Sequence, residues 1–419
     1  MIRILALLLA LFVSSTAMAE ESPADPPKQI GRLAAISGAV TYSAAADAPA
    51  SDITVNYPLT TGNRIATPAR GHAAIDIAAG RFYLDGDSAV TVGALGPGTA
   101  TVSLEQGALI LHVLPGGAGQ VFVVQTPRGA LRADQPGYFE VEIDDGSGAV
   151  VVSALEGGAQ FNDTIVLPPG TRARVAKDAA PALDAAVEDD FIRRVAAEVE
   201  ASGENKLEAP THVSPQTTGF QALEHYGLWV ATEQYGWAWE PQVPSDWAPY
   251  SKGRWVEIPQ LGRTWIDDSP WGFAPSHYGR WTEVNDRWVW VPGNAASASL
   301  DAPAAVSFFG TQGRNSQGAV GWVALGPEQP VFGPAPVIVN NVRVINPPDV
   351  VNVTNVNNTT TNVTAVTKPD RRPAVVLIPS FPPSPQPTPS PGGGSPASNL
   401  TGLGAAGAPM QGGVRFPGR

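Results

Sequence analysis

The tripeptide Gly-x-Trp returns at a fixed interval in the second half of the chain. Three segments, GLWVATEQYGWAWEP, GRWVEIPQLGRTWIDD and GRWTEVNDRWVWVPG, lead with Trp229, Trp255 and Trp281, each 26 residues after the last. Each carries a second tryptophan nine or ten residues on, Trp239, Trp265 and Trp290. A period of this size marks stacked supersecondary units. Each unit reads as a β-hairpin: a strand, a Gly or Asn-Asp turn, a second strand and a Pro-bearing loop. Trp288 and Trp290, like Trp237 and Trp239, are two apart and share a strand face. All 11 tryptophans fall between Trp229 and Trp322, where other large apolar residues are scarce. Each buried indole removes on the order of 200 Å² from water. Trp229, Trp239, Trp255, Trp265, Trp281, Trp288 and Trp290 are therefore expected to form the repeat core. The linking phrases SDWAPY and SPWGFAPSHY lie outside the hairpins. Their Trp247, Tyr250, Trp271, His277 and Tyr278 are expected at the surface, where aromatic rings stack on a ligand.

Upstream, residues 29–176 alternate apolar and polar side chains, with Gly at short intervals and no helical period. In EVEIDDGSGAVVV the residues Phe139, Val141 and Ile143 share one face and Asp144 to Gly148 turn the chain. The expected architecture is mainly β, an all-β meander, sandwich or solenoid. The high Gly and Pro content, 44 and 41 of 419 residues, favours turns and short strands over long helices.

These segments resemble a known family. GRLAAISGAVTY, YPLTTGNRIATPARGHAAIDIAAGRFYLDGDSAVTV, LEQGALILHV, FVVQTPRGALRADQPGYFEVEI and VVVSALEGGAQF follow one another as in a FecR-type domain. Asn63 stands where that family commonly has Asp. FecR regulators also carry a cytoplasmic helical anti-sigma segment and a membrane span. This sequence shows neither, so the resemblance implies a fold here and not the sigma-factor role. The region 211–334 is similar to a Trp-rich domain that follows FecR-like domains in exported proteobacterial proteins. The carrying phrases are YGWAWEPQVPSDWAPYSKGRW, GRTWIDDSPWGFAPSHYGRW and VGWVALGPEQPVF. That resemblance implies an architecture but no activity.

Between the two regions, residues 177–210 read as a helical connector. Leu183, Val187, Phe191, Val195 and Val199 recur every four residues, with Ile192 beside them. The spacing predicts a helix from near Asp184 to near Gly203, with acidic residues in its first turns. Residues 335–368 alternate Val with Asn or Thr as a biased spacer, and 369–419 form a Pro/Gly/Ser-rich tail expected to be disordered.

The first residues have the form of a secretory signal peptide. Arg3, an apolar run from Ile4 to Val13 and the small-residue site Ala17-Met18-Ala19 predict cleavage after Ala19. The run is too short to span a membrane, and no later stretch is longer. The expected location is periplasmic or secreted, with no membrane span after cleavage. The chain has no Cys, which excludes disulfides and thiolate metal sites. A net charge of −12 argues against nucleic acid as a partner.

No catalytic, cofactor or metal site is expected. His72, His112, His212, His225 and His277 are scattered without ligand spacing. A glycoside hydrolase using Asp267 or Asp268 with Glu283 is the weakest alternative, since two carboxylates must face one sugar and DDSP reads as a turn. The sequence favours a non-catalytic binding protein. Its partner is either an envelope glycan such as peptidoglycan, held by tryptophans, or an envelope protein met by the FecR-like strands in a signalling or scaffolding role.

Overall fold

The computed structural model describes residues 27–117, 119–208, 210–293, 303–310 and 320–327, with short strands at 354–356, 359–362 and 376–378. The signal peptide, most of the spacer and most of the Pro-rich tail lie outside the described residues.

Residues 31–185 form two nine-stranded sheets. The first runs, edge to edge, through Ala182–Ala185, Thr171–Val175, Val150–Glu156, Gly137–Ile143, Ala108–Val113, Gly80–Leu84, His72–Ile77, Gly31–Ser37 and Pro58–Leu59. The second runs through Ile165–Leu167, Ala159–Phe161, Gly129–Ala133, Val121–Thr126, Thr99–Gln106, Ala89–Gly96, Arg64–Ala66, Thr41–Ser43 and Ser51–Asp52. The chain lays strands on the two sheets in turn. Neighbours are antiparallel except Val121–Thr126, which runs parallel to Thr99–Gln106.

Strand alternation explains why this is a two-layer sandwich. One face of each sheet supplies the shared core: Ile75, Phe82, Leu111 and Phe139 from the first, Val102, Phe122, Val124 and Phe161 from the second. The hairpin around Asp144 to Gly148 forms as the alternation requires. Val141 sits opposite Val152, and both are fully buried. Asn63 is also explained. Its Oδ1 accepts from Thr60 N at 2.8 Å while its Nδ2 donates to Ala44 O at 3.0 Å. An Asp could make only the first of these bonds.

The connector begins later than its periodicity predicts. Residues Ala182–Ala185 form an edge strand paired with Thr171–Val175, and the helix runs from Asp190 to Ser202. Leu183 and Val187 are exposed, while Phe191, Ile192, Val195 and Val199 are buried. Asp189 caps the helix, its Oδ1 accepting from Ile192 N at 2.8 Å, and Gly203 ends it in the left-handed region. The helix covers the outer face of the first sheet, packing on Ala74, Tyr83, Ile110, Tyr138 and Leu155. It is 13 residues long. Among the described residues no helix is long and apolar enough to cross a membrane.

The second module is built from the three predicted hairpins. Their cross-strand pairs are Trp229 with Trp239, Trp255 with Trp265 and Trp281 with Trp290. The first and third hairpins join through Trp239 and Trp290 into one four-stranded sheet; the second stands as its own pair of strands. The leading glycine has a steric reason. A Cβ at Gly227 would lie 2.4 Å from the Trp239 ring, and one at Gly253 would lie 2.6 Å from the Trp265 ring. At Gly279 it would lie 2.8 Å from Trp290 Nε1. In each unit the second indole rests on the bare backbone of the first strand.

Candidate functional site

The linking phrases are core, which corrects the surface expected of them. Trp247, Tyr250, Trp271, His277 and Tyr278 are all at most 7% exposed. Trp271 packs edge-on against Trp239 at 5.0 Å and against Trp247 at 5.5 Å, and Trp247 meets Trp281 at 5.4 Å. The Tyr250 hydroxyl donates to Ser276 O and accepts from Ala305 N. His277 lies against Phe273, and Tyr278 O accepts from Trp290 Nε1 at 2.7 Å. The linker aromatics Trp247, Tyr250, Trp271 and Tyr278 share one buried cluster with the hairpin tryptophans and with Phe220, Leu223 and Phe273.

The predicted repeat tryptophans divide. Trp239, Trp265, Trp281 and Trp290 are buried, and their indole N–H groups donate to Leu223 O, Asp267 Oδ2, Pro275 O and Tyr278 O. Trp229, Trp255 and Trp288 are only partly buried and pack at the margin of the core.

The exposed aromatic surface lies elsewhere. Trp237, beside the turn of the first hairpin, is 49% exposed. Its ring stacks on His212 with centroids 4.3 Å apart and planes inclined by 26°. His212 also touches Trp229 at 5.1 Å, and Trp229 Nε1 donates to Glu224 Oε1 at 3.0 Å. Three rings thus form a platform with a carboxylate at its rim. Gly227–Thr232 is one of the two edge strands of the four-stranded sheet, and its Leu228 and the preceding Tyr226 are exposed. Trp237 shares a strand face with Trp239, but its opposite number is Ala231 at the far end of the hairpin. The sequence signal was its place next to Gly236: a turn-adjacent residue lies beyond the reach of the core.

The carboxylates considered for hydrolysis do not converge as a pair. Asp267 accepts from Trp265 Nε1 and from Ser269 N, so it ties the indole to the turn that DDSP forms. Burial pushes its carboxyl upward. Asp268 is exposed and faces Arg254 at 3.8 Å. Glu283 is on the other sheet, opposite Trp288. Among the described residues no group of three His, Asp or Glu is placed to hold a metal ion.

A buried polar seam, which no sequence pattern marks, lies between the two modules. Asp76, fully buried, receives Arg32 Nε at 2.9 Å and Arg81 Nε at 2.6 Å. Arg32 reaches on to Pro270 O at 3.2 Å, and Asn56 Nδ2 donates to Asp267 O and Ser269 O. Arg81 also pairs with Glu204, which accepts from Tyr83 and meets His112 Nδ1. Burial alone would raise the Glu204 carboxyl; the Arg81 charge and the His112 and Tyr83 contacts outweigh it and hold the group down at about 2. Thr218 Oγ1 donates to Ile30 O and accepts from Ala78 N, and Gln221 Nε2 donates to Ala78 O. Ile30, Ala79 and Leu114 of the sandwich belong to the tryptophan core itself.

Two crystal structures of a proposed anti-sigma factor from Parabacteroides distasonis ATCC 8503 are similar over 32% of this chain. Their identities are 15% and 14%, with a TM-score of 0.27 for each, and the matches span 62% and 64% of those chains. Less than two thirds of either solved chain is therefore covered, and at these values the similarity decides neither fold nor role. No curated protein matches. The module that holds the tryptophan hairpins and the platform strand is similar, over residues 220–329, to the Family of unknown function (DUF6600).

Proposed function

We propose that this chain is an exported, non-catalytic envelope-binding protein. Its FecR-like sandwich is joined rigidly to the DUF6600 domain, and the platform of Trp237, His212 and Trp229 takes the ring of an envelope glycan such as peptidoglycan. The observation that carries this reading is Trp237, held about half exposed by stacking on His212. Sugar rings present an apolar face to such a surface, and Glu224 at the rim offers a hydrogen-bond acceptor for hydroxyls. The non-catalytic reading is supported by Asp267, whose oxygens serve an indole and a turn. Export rests on the signal peptide with cleavage after Ala19.

Co-sedimentation of the mature chain with purified sacculi tests the proposal. The native chain should pellet, soluble sugar should compete, and Trp237→Ala should stay in solution while keeping its circular dichroism. A native chain left in the supernatant sinks the glycan reading for that material. A second reading rests on the open strand Gly227–Thr232 with exposed Leu228. There the partner is an envelope protein, bound by strand addition in a signalling or scaffolding role. Binding of that kind would ignore soluble sugar and fail in Leu228→Glu.

A further inference from the structure

Trp237 is stacked on one side and open on the other. The first hairpin pairs Trp229 with Trp239 and Ala231 with Trp237, so these four side chains lie on one face of the sheet. Trp229 and Trp237 are diagonal neighbours, which stand about 7–8 Å apart in a sheet. The residue at that corner is the small Ala231, and the space is taken by His212, whose ring lies 4.3 Å from Trp237 and 5.1 Å from Trp229. The stack with His212 covers one side of the Trp237 indole, yet the residue is 49% exposed. Its other side is presented to solvent, held in place by a partly buried neighbour. The row from Trp237 through His212 to Trp229 is longer than one sugar ring, so an oligomer rather than a monosaccharide spans it.

The charge around this row is one-sided. From Thr211 to Pro241, the stretch that builds it, there are three Glu and no Lys or Arg. Glu224 is exposed and accepts from Trp229 Nε1 at 3.0 Å, which seats a carboxylate at the end of the row. Glu233 is exposed in the hairpin turn that precedes Trp237. Glu240 pairs with Leu228 across the strands, on the opposite face, and holds Arg287 at 2.5 Å. The cation that the adjoining strand Arg287–Val291 brings to this hairpin is therefore neutralised there, away from the rings.

The face of an indole carries the negative side of its quadrupole and attracts cations, tryptophan most of all. A carboxylate beside such rings adds attraction for the same charge and an acceptor for its N–H groups. Glycans bearing phosphate or carboxylate groups meet like charge here. We propose that the platform selects an amino glycan: a chain of sugars with free, protonated amines, one unit lying on the open side of Trp237 and an amine of the chain meeting Glu224. This selectivity rests on the platform reading given above and adds the class of sugar to it. A fully N-acetylated chain offers the same apolar ring faces without the charge.

Calorimetric titration of the mature chain at pH 6 with hexamers of glucosamine and of N-acetylglucosamine tests this. The glucosamine hexamer should bind about tenfold more tightly. Trp237→Ala should lose both ligands while keeping its circular dichroism. Glu224→Gln, whose amide oxygen still accepts from Trp229, should bring the glucosamine hexamer down to the affinity of the acetylated one. Equal affinities in the native chain, both lost in Trp237→Ala, overturn the amine selectivity and leave the glycan platform standing. An amine preference that persists in Trp237→Ala or in Glu224→Gln also overturns it, because the acidic chain as a whole is then attracting a polycation. If neither hexamer binds, the selectivity falls, and pelleting with sacculi, lost in Trp237→Ala, shows separately whether the platform holds a glycan.

Discussion

On the second strand of the first hairpin, distance from the turn separates two tryptophans that share a face. Trp237 and Trp239 are two residues apart on one face, yet Trp239 is fully buried with its N–H bonded to Leu223 O, and Trp237 is half in solvent. Truncating Trp239 removes a large ring from a packed cluster and should cost about 3–5 kcal/mol. Trp237→Ala should change stability by less than about 1 kcal/mol. Urea unfolding of the two variants checks this pair; equal losses would mean that the platform is part of the core. The repeat glycines predict a cost of another kind. Gly253 has a φ of 156°, and a Cβ there would meet Ile266 O at 2.3 Å as well as the Trp265 ring. Gly253→Ala forces backbone and indole apart and should destabilise by roughly 2 kcal/mol or more. A stability within error of the native chain would remove the steric account of the Gly-x-Trp repeat.

At the scale of elements, the hairpins were legible because two signals agree in each: a bare glycine and a tryptophan nine or ten residues past the first. The sandwich was legible from alternation in the same way. The connector was legible only in part. Leu183 and Val187 continue the four-residue spacing of Phe191, Val195 and Val199, so periodicity alone extends the helix backwards. Pairing with Thr171–Val175 claims Ala182–Ala185 for the sheet, and tertiary hydrogen bonds override a local pattern. Several acids compete for the cap, and Asp189 is chosen by the helix that can dock. The end was readable because Gly203, at a φ of 71°, is the residue that tolerates the left-handed stop. A Cβ there would make only an ordinary contact with His225, so Gly203→Ala isolates the backbone term. It should cost about 1 kcal/mol, read from the shift in urea midpoint at unchanged slope.

For the whole molecule, the decisive contacts join residues that no local pattern relates. Gln29 reaches Thr218, 189 positions away, and Arg32 reaches Pro270, 238 positions away. Periodicity reports which side of a strand is apolar; it is silent on which polar side chains will meet across an interface. Hence the tryptophans of the linkers were readable as aromatic but not as buried, and the Asp76 and Glu204 seam was not readable at all. The seam makes a prediction about cooperativity. Every tryptophan lies between Trp229 and Trp322, so fluorescence reports the second module, whereas far-ultraviolet circular dichroism is dominated by the sandwich. With Ile30, Ala79 and Leu114 inside the tryptophan core, the two signals should fall together in one transition.

Acid should act on this joint through Glu204. Its folded carboxyl, at about 2, lies below its ordinary value near 4.5. The stabilisation is therefore complete above that ordinary value and is lost as pH falls from there toward 2. Glu140, which burial pushes up to about 8, pulls the other way, favouring the folded chain as pH falls toward its ordinary value, so stability should peak in mild acid. Glu204→Gln removes the charge that faces Arg81 and should cost roughly 3 kcal/mol at neutral pH, since a buried guanidinium loses half its neutralisation. The variant should also lose the Glu204 share of the decline between pH 4.5 and 2, while Asp76 and Asp144, held low by their own arginines, keep theirs. Because the seam couples the modules, its fluorescence and circular dichroism transitions should separate where those of the native chain coincide. Coincident transitions in the variant would place the coupling in the apolar contacts of Ile30, Ala79 and Leu114 instead. Two separate transitions in the native chain would show that the modules fold independently despite their shared core.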